Sequence, residues 1–170
     1  MQCACALRLP IGAADAWQVL GDPAVSGKVE WFHRDIQVLG PLVAGTEIRI
    51  LHGLWGVPVG RFHRVGRLTV HRPPREYAFS DLSADRPRTG FPHVYRLRVL
   101  PRLDGSVVRL EVTGRWMARF VPRPIVWLYL WCVMARCRLG LAWLLLGAAL
   151  RCSLATRRRC GRGPVHCPAR

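Results

Sequence analysis

Histidine and tyrosine side chains in alternating segments are the residues of this sequence best suited to chemistry. His52 follows Ile48 and Ile50 at a spacing of two, and His93 and Tyr95 open a second alternating segment. Side chains two apart on a strand point to the same face, so these polar groups should share a face with core residues. In a cavity they could orient a ligand carbonyl or hydroxyl, and one histidine could serve as a general acid or base near neutral pH.

The same alternation puts Trp116 on this face, together with Leu97 and Leu110. An alternative interpretation is that these polar and aromatic side chains are ordinary core or rim residues. It is supported by the absence of an acidic residue at a spacing that would form a catalytic pair. Trp31, Trp55 and Phe91 fall near loops, where they could line an entrance or simply pack.

We expect no metal and no cofactor. The histidines that could act as ligands lie in separate segments, so only folding could bring them together: His33, His52, His63, His71 and His93. Cys3 and Cys5 are too close for the usual pair of zinc ligands. The sequence has no glycine-rich nucleotide-binding loop and no serine-nucleophile elbow.

Length and composition are typical of one ordinary domain. The chain has 170 residues, 51% of them hydrophobic, which excludes a disordered protein. A formal charge of +16 suggests an anionic partner, but all the basic residues except Lys28 are arginine, a bias that a GC-rich genome also produces. We do not expect nucleic acid as a partner, because the arginines alternate along strands and no reader motif is present.

The seven cysteines are odd in number and irregularly spaced, which favours a reduced compartment. The N-terminal segment lacks the basic and apolar regions of a secretory signal. We therefore expect a cytoplasmic protein, with association to a membrane as a further expectation.

Periodicity predicts a strand, two short helices, about six antiparallel strands and one long terminal helix. The two short helices are predicted at 12–20 and 24–34, and Asp104-Gly105 marks the clearest hairpin turn. An antiparallel sheet with one wet face needs a cover for its other face, and only the helix predicted from Pro122 to Leu150 is long enough to supply it.

That helix also has the length to cross a bilayer. Arg136 and Arg138 each oppose insertion by about 2.5–3.5 kcal/mol, which nearly cancels the gain from the aliphatic residues around them. The two arginines project in widely different directions, so one water-facing stripe cannot hold both. Arg136 is a candidate anchor for a ligand carboxylate or phosphate, with snorkelling to solvent as the alternative. Trp127 and Trp131 are further candidate ligand-binding residues.

Several local patterns resemble the START-like helix-grip superfamily, also called SRPBCC or the polyketide cyclase/dehydrase and lipid-transport family. The matching segments are the entry to the first helix from Ile11 to Pro23, the stretch from Val38 to Gly45, the turn at Arg72-Pro73-Pro74-Arg75, and His93-Val94-Tyr95-Arg96-Leu97 with Asp104-Gly105. The similarity extends over about Cys3 to Leu150, and the order of these segments carries the resemblance.

The resemblance implies an α+β helix-grip fold, in which a curved antiparallel sheet of six or seven strands wraps around a long C-terminal helix after two short helices. It also implies a cavity for a lipid or another hydrophobic small molecule, without a universal catalytic motif. We expect a START-like domain over 1–152 and a basic, disordered tail over 153–170. The alternatives are a cyclase/dehydratase-type enzyme that uses the same cavity and a membrane-associated interaction module. The sequence does not determine the oligomeric state.

Overall fold

The computed structural model describes residues 2–29, 33–53, 62–80, 93–114 and 122–160. Its first half contains β1 (Gln2–Leu9), α1 (Ala13–Leu20), α2 (Pro23–Ser26), a short 3-10 helix (Gly27–Val29), β2 (His33–Val38) and β3 (Glu47–His52). Its second half contains β4 (Phe62–Arg72), β5 (Glu76–Ser80), β6 (His93–Arg102), β7 (Gly105–Gly114) and α3 (Arg123–Cys160).

The seven strands form one antiparallel sheet in the order β1-β7-β6-β5-β4-β3-β2. The sheet curls into a half-barrel, and its concave face is lined by the alternating apolar residues of the strands. A tight turn joins β6 and β7, and Asp104 lies in it, as the Asp-Gly signal predicts.

Helix α3 covers the sheet with one stripe of side chains. Its buried positions recur every three or four residues and comprise Val126, Leu130, Val133, Met134, Cys137, Leu141 and Leu145. This spacing follows one face of an α-helix, and the face packs against β1, α1 and the 3-10 helix. The prediction that the terminal helix covers the sheet is confirmed.

The second short helix is much shorter than the predicted 24–34. The side chain of Asp22 caps it by accepting a hydrogen bond from the backbone N–H of Ala24 at 2.8 Å, and Pro23 occupies the first turn. The α-helix ends at Ser26, and His33 already belongs to β2. The prediction fails at its C-terminal end because pairing of His33 with β3 outweighs local helical preference.

Helix α3 continues beyond the predicted Leu150 to Cys160. The first part of the predicted disordered tail is thus helical, and residues 161–170 lie outside the described part of the chain. The fold itself is the predicted α+β helix-grip fold, with seven strands, short helices after the first strand and a long C-terminal helix.

Candidate functional site

Three buried histidines meet at one end of the concave face. His33 opens β2, His52 ends β3 and His93 opens β6. Their ring centroids lie 5.1 Å apart for His33 and His52, 5.5 Å for His33 and His93, and 6.1 Å for His52 and His93. Each residue is at most 4% exposed, so the cluster belongs to the interior.

Curvature of the sheet brings these rings together. β3 and β6 are separated by β4 and β5, so in a flat sheet the two strands would lie about 14 Å apart, three spacings of about 4.8 Å. The rings of His52 and His93 are nevertheless only 6.1 Å apart, because side chains on a concave face converge. The cluster is a product of the curled sheet.

A β-bulge turns His33 inward. The register between β2 and β3 shifts between His33 and Asp35, so His33 pairs with His52 while Ile36 pairs with Ile50. His33 and Ile36 are both buried although they stand three residues apart, a spacing that regular alternation would place on opposite faces. The extra residue of the bulge changes the face to which His33 belongs.

The backbone of Gly27 contacts the His33 ring and fixes its orientation. The Nδ1 atom of His33 lies 3.0 Å from the backbone oxygen of Gly27. A Cβ atom at Gly27 would stand 2.3 Å from Cδ1 of Ile36, so the absence of a side chain lets the 3-10 helix approach β2. A carbonyl oxygen can only accept, so Nδ1 of His33 carries the hydrogen and a neutral ring then has its lone pair on Nε2.

Stacked aromatic rings continue the site along the concave face. Tyr95 and Phe79 stack at a centroid distance of 4.9 Å, Tyr77 stacks with Tyr95 at 6.2 Å, and His33 lies 5.6 Å from Phe79. The face is thus apolar and aromatic along its length and carries imidazoles at one end.

The two tyrosine hydroxyls are tied to α2. The Tyr95 hydroxyl donates to the backbone oxygen of Ser26 at 3.1 Å, and the Tyr77 and Ser26 hydroxyls share a buried hydrogen bond. Ser26 Oγ also lies 2.9 Å from the backbone oxygen of Asp22. These bonds give both tyrosines a structural role in fixing α2 against the sheet.

Burial sets the charge state of His52. Desolvation by burial is the largest cause and electrostatic interaction with His33, His93 and Arg64 adds to it, and together they lower the pKa of His52 from 6.5 to about 2. The ring is therefore neutral near pH 7. A base with so low a pKa accepts protons poorly, whereas a neutral imidazole is a good hydrogen-bonding group and a good metal ligand.

The described residues of the predicted site divide into an inner and an outer group. His52, His93 and Tyr95 are buried on the face shared with Ile48, Ile50, Leu97 and Leu110, as the alternation predicts. Their role in ligand binding stays a prediction. Trp116 lies outside the described residues, as do Trp31, Trp55 and Phe91.

The predicted helix residues lie on the outer side of α3. Trp127 and Trp131 are 50% and 70% exposed, and Arg136 is also exposed. Arg136 borders an open groove of about 550 Å³ beside Val25 and Val29, and Trp131 borders one of about 740 Å³ beside β1. All three side chains are exposed, so any ligand that they bind would lie on the outside of α3.

His33 is the residue that sequence reasoning misses. In the sequence it is one of several scattered histidines, and it falls within a predicted helix. No local pattern reveals a β-bulge, so the alternation in β2 gives no sign that His33 faces inward.

The outer face of α3 is strongly apolar. Arg123–Gly147 is long and apolar enough to cross a membrane by length and composition, although a third of its most apolar stretch is buried in the protein. The exposed apolar residues are Ile125, Trp127, Leu128, Trp131, Leu139, Trp143 and Leu146. At about 100° per residue, Leu128, Leu139 and Leu146 lie at the centre of this outer face, with Arg136 and Arg138 on opposite flanks.

Comparison of the structure with solved proteins identifies the class of fold. Protein TTHA0849 from Thermus thermophilus is 14% identical, with a TM-score of 0.65 over 90% of this chain and 99% of that one. The di-domain aromatase/cyclase StfQ of the steffimycin biosynthetic pathway is 12% identical, with a TM-score of 0.65 over 89% of this chain and 51% of that one. Ara h 8.0201 is 11% identical, with a TM-score of 0.55 over 85% and 97%.

These likenesses define a helix-grip protein. The chain has the fold of the START-like, or SRPBCC, superfamily, as the resemblance in its sequence predicts. No protein-family model and no curated protein matches the sequence itself. Identities of this size establish the fold and leave the activity to be argued from the site.

Proposed function

We propose that the protein binds a hydrophobic small molecule or lipid between the curled sheet and α3, with the polar group of the ligand at the histidine end. The observation that carries this proposal is the composition of the concave face: stacked aromatic rings lead to His33, His52 and His93. Sites for small molecules are commonly apolar with a few convergent polar groups, which is the arrangement present here.

The structural neighbours support binding as the general function. Ara h 8 is a Bet v 1-like protein and StfQ is an aromatase/cyclase, and both have the same helix-grip fold. Catalysis is the second candidate. We favour binding because a protonatable base needs a pKa near the working pH, and burial takes His52 far below it.

Native mass spectrometry of the purified full-length protein tests this proposal. We expect a co-purified apolar molecule, released and identified by solvent extraction, or saturable binding when fatty acids, sterols and aromatic polyketides are added one by one. Replacement of His93 by Ala should lower the affinity of the bound molecule about fivefold to tenfold, the effect of about one lost hydrogen bond.

His63→Ala is the matched control, because His63 is an exposed residue of β4. It should leave the affinity unchanged. Repeated absence of any bound apolar molecule, from extraction and from all three ligand classes, would overturn the proposal. Equal affinities for the His93→Ala and His63→Ala proteins would show that the histidine end is not part of the binding site.

We also propose peripheral attachment to membranes through the outer face of α3, in a protein located in the cytoplasm. The inner stripe of α3 is packed on the sheet of its own domain, so crossing a bilayer would require that packing to be abandoned. A helix that lies on the membrane surface keeps this packing. Leu128, Leu139 and Leu146 would enter the boundary between head groups and acyl chains, while Arg136 and Arg138 would contact anionic head groups.

Sedimentation with vesicles measures this attachment. We expect binding to vesicles that contain an anionic phospholipid, weaker binding to zwitterionic vesicles, and loss of binding when Leu128 and Leu139 are replaced by Ser. Leu103→Ser is the control, because Leu103 is fully exposed in the turn between β6 and β7 and is not part of α3. Equal sedimentation of the double variant and the control would contradict the proposal.

A further inference from the structure

We propose that His33, His52 and His93 form a three-histidine site for a divalent transition metal of the zinc type. The inference goes beyond binding of an apolar ligand and does not depend on it, because the metal can be added alone. It is also a change from the sequence-based expectation of no metal. That expectation rested on the separation of the histidines along the chain, and the fold removes the separation.

The distances suit a metal ion after a small adjustment. One ligand nitrogen from each of the three residues lies within 4.8 Å of the others. Around a tetrahedral zinc ion with bonds of about 2.0–2.1 Å, neighbouring nitrogens would stand roughly 3.4 Å apart. Shifts of about 1 Å through small rotations of χ1 and χ2 would close the site, and the strands that carry the rings would stay in place.

The hydrogen bond between His33 and Gly27 favours the tautomer of His33 that can bind a metal. Its Nδ1–H points to the backbone oxygen of Gly27, so in the neutral ring Nε2 carries the lone pair through which a metal would be bound. A histidine ligand usually donates its other ring hydrogen to a carbonyl or carboxylate in this way, which fixes the tautomer and the ring orientation. The burial of all three residues also suits neutral imidazoles, the form that coordinates.

Three protein ligands would leave one tetrahedral position open. Such a position is typical of sites where zinc binds water or a substrate oxygen. Arg64 acts as a positive charge on His52, so a dication here would add to positive charge already present. An anionic fourth ligand, such as hydroxide or the carboxylate or enolate of a bound molecule, would balance that charge best.

Titration of chelator-treated full-length protein with Co²⁺ tests the site. We expect one Co²⁺ per chain with the visible absorption of a tetrahedral nitrogen-ligated ion, displaced by Zn²⁺. His33→Ala, His52→Ala and His93→Ala should each lower the Co²⁺ affinity by about 100-fold or more, because loss of a ligand should cost at least as much as loss of an outer-shell partner, which costs about 10-fold to 100-fold. His63→Ala should bind Co²⁺ as the unaltered protein does.

Folding is monitored separately, since a buried histidine also packs. Each variant is compared by circular dichroism without metal, and His52→Gln and His93→Gln serve where the Ala protein does not fold. The added Zn²⁺ should raise the melting temperature of the unaltered protein and of His63→Ala, and should leave that of the cluster variants unchanged.

Three results would overturn the proposal. The first is the absence of Co²⁺ and Zn²⁺ binding to the folded, chelator-treated protein. The second is binding that survives in all the cluster variants. The third is a thiolate-to-cobalt charge-transfer absorption, which would assign the metal to cysteines.

Discussion

His33 and His52 are direct partners across β2 and β3, and their imidazole rings meet edge to face at a centroid distance of 5.1 Å and an angle of 78°. The contact depends on a β-bulge next to His33. A one-residue change of register would turn His33 to the convex face and dissolve the cluster. The pair therefore links the pairing of an edge strand directly to the composition of the site.

Acid should destabilise the metal-free protein through His52. In the unfolded chain this ring gains a proton below about pH 6.5. The folded protein keeps it neutral down to about pH 2, because burial, His33, His93 and Arg64 lower the pKa. The unfolded state then binds more protons, so the free energy of unfolding falls by about 1.4 kcal/mol per pH unit below 6.5.

Urea unfolding at pH 7 and pH 5 measures this effect, which should reach about 2 kcal/mol from His52 alone. The control is His52→Gln, which cannot take up a proton. Its unfolding free energy should fall less over the same pH range. An equal fall in both proteins would show that His52 ionises normally.

The hydrogen bond between Ser26 and Tyr77 should couple α2 to the sheet. Ser26→Ala and Tyr77→Phe should each destabilise the protein by about 1–3 kcal/mol, since each leaves the other hydroxyl buried without this hydrogen bond. A double-mutant cycle based on urea unfolding should give a coupling energy of about 0.5–1.5 kcal/mol. Strict additivity of the two single effects would show that the hydroxyls do not interact.

Gly105 should tolerate no side chain. Its φ is +138°, and a Cβ atom there would stand 2.1 Å from the backbone oxygen of Leu9. Gly105→Ala should cost about 3 kcal/mol or more, because the clash disturbs the pairing of β1 with β7. Gly45→Ala is the matched control: its φ of +96° is also positive, but no atom lies within 4 Å, so it should cost only about 1–2 kcal/mol. Similar melting temperatures for the two variants would contradict this account.

Cys5 should resist alkylation in the folded protein. Burial raises the pKa of its thiol to about 11, and the charge of Arg138 only partly opposes the shift. At pH 8 about one thiol in a thousand is then ionised, and the thiolate is the reactive form. Peptide mapping after brief treatment with iodoacetamide should show faster labelling of the exposed Cys132. In urea the two cysteines should react at similar rates, and equal labelling without urea would contradict the prediction.

The inner and outer faces of α3 should differ in their contribution to stability. Leu141 is fully buried and Leu139 is 58% exposed on the same helix. Leu141→Ala should destabilise the protein by about 2–5 kcal/mol through a cavity, whereas Leu139→Ala should change its stability by less than about 0.5 kcal/mol. Thermal unfolding compares the two. A large effect of Leu139→Ala would indicate that the outer face is covered, for example by a second copy of the chain.

Local chemistry determined much of the architecture. The alternation of Ile48, Ile50 and His52, the Asp104-Gly105 turn and the apolar terminal helix are short-range signals, since the period of side chains and the geometry of a turn depend on a few residues. They predicted the sheet, its hairpin and its cover, and the order of the elements carried the resemblance to the helix-grip fold. They also placed His52 and His93 on the buried face.

The tertiary structure alone decided which faces and groups meet. Trp127 and Trp131 lie outside because the sheet contacts only one stripe of α3, and composition does not show which stripe that is. The convergence of His33, His52 and His93 depends on a β-bulge and on the curl of strands far apart in sequence. Periodicity reports the face of a residue within its own strand, whereas a three-residue site depends on distances between strands, and those are set by the packing of the whole sheet.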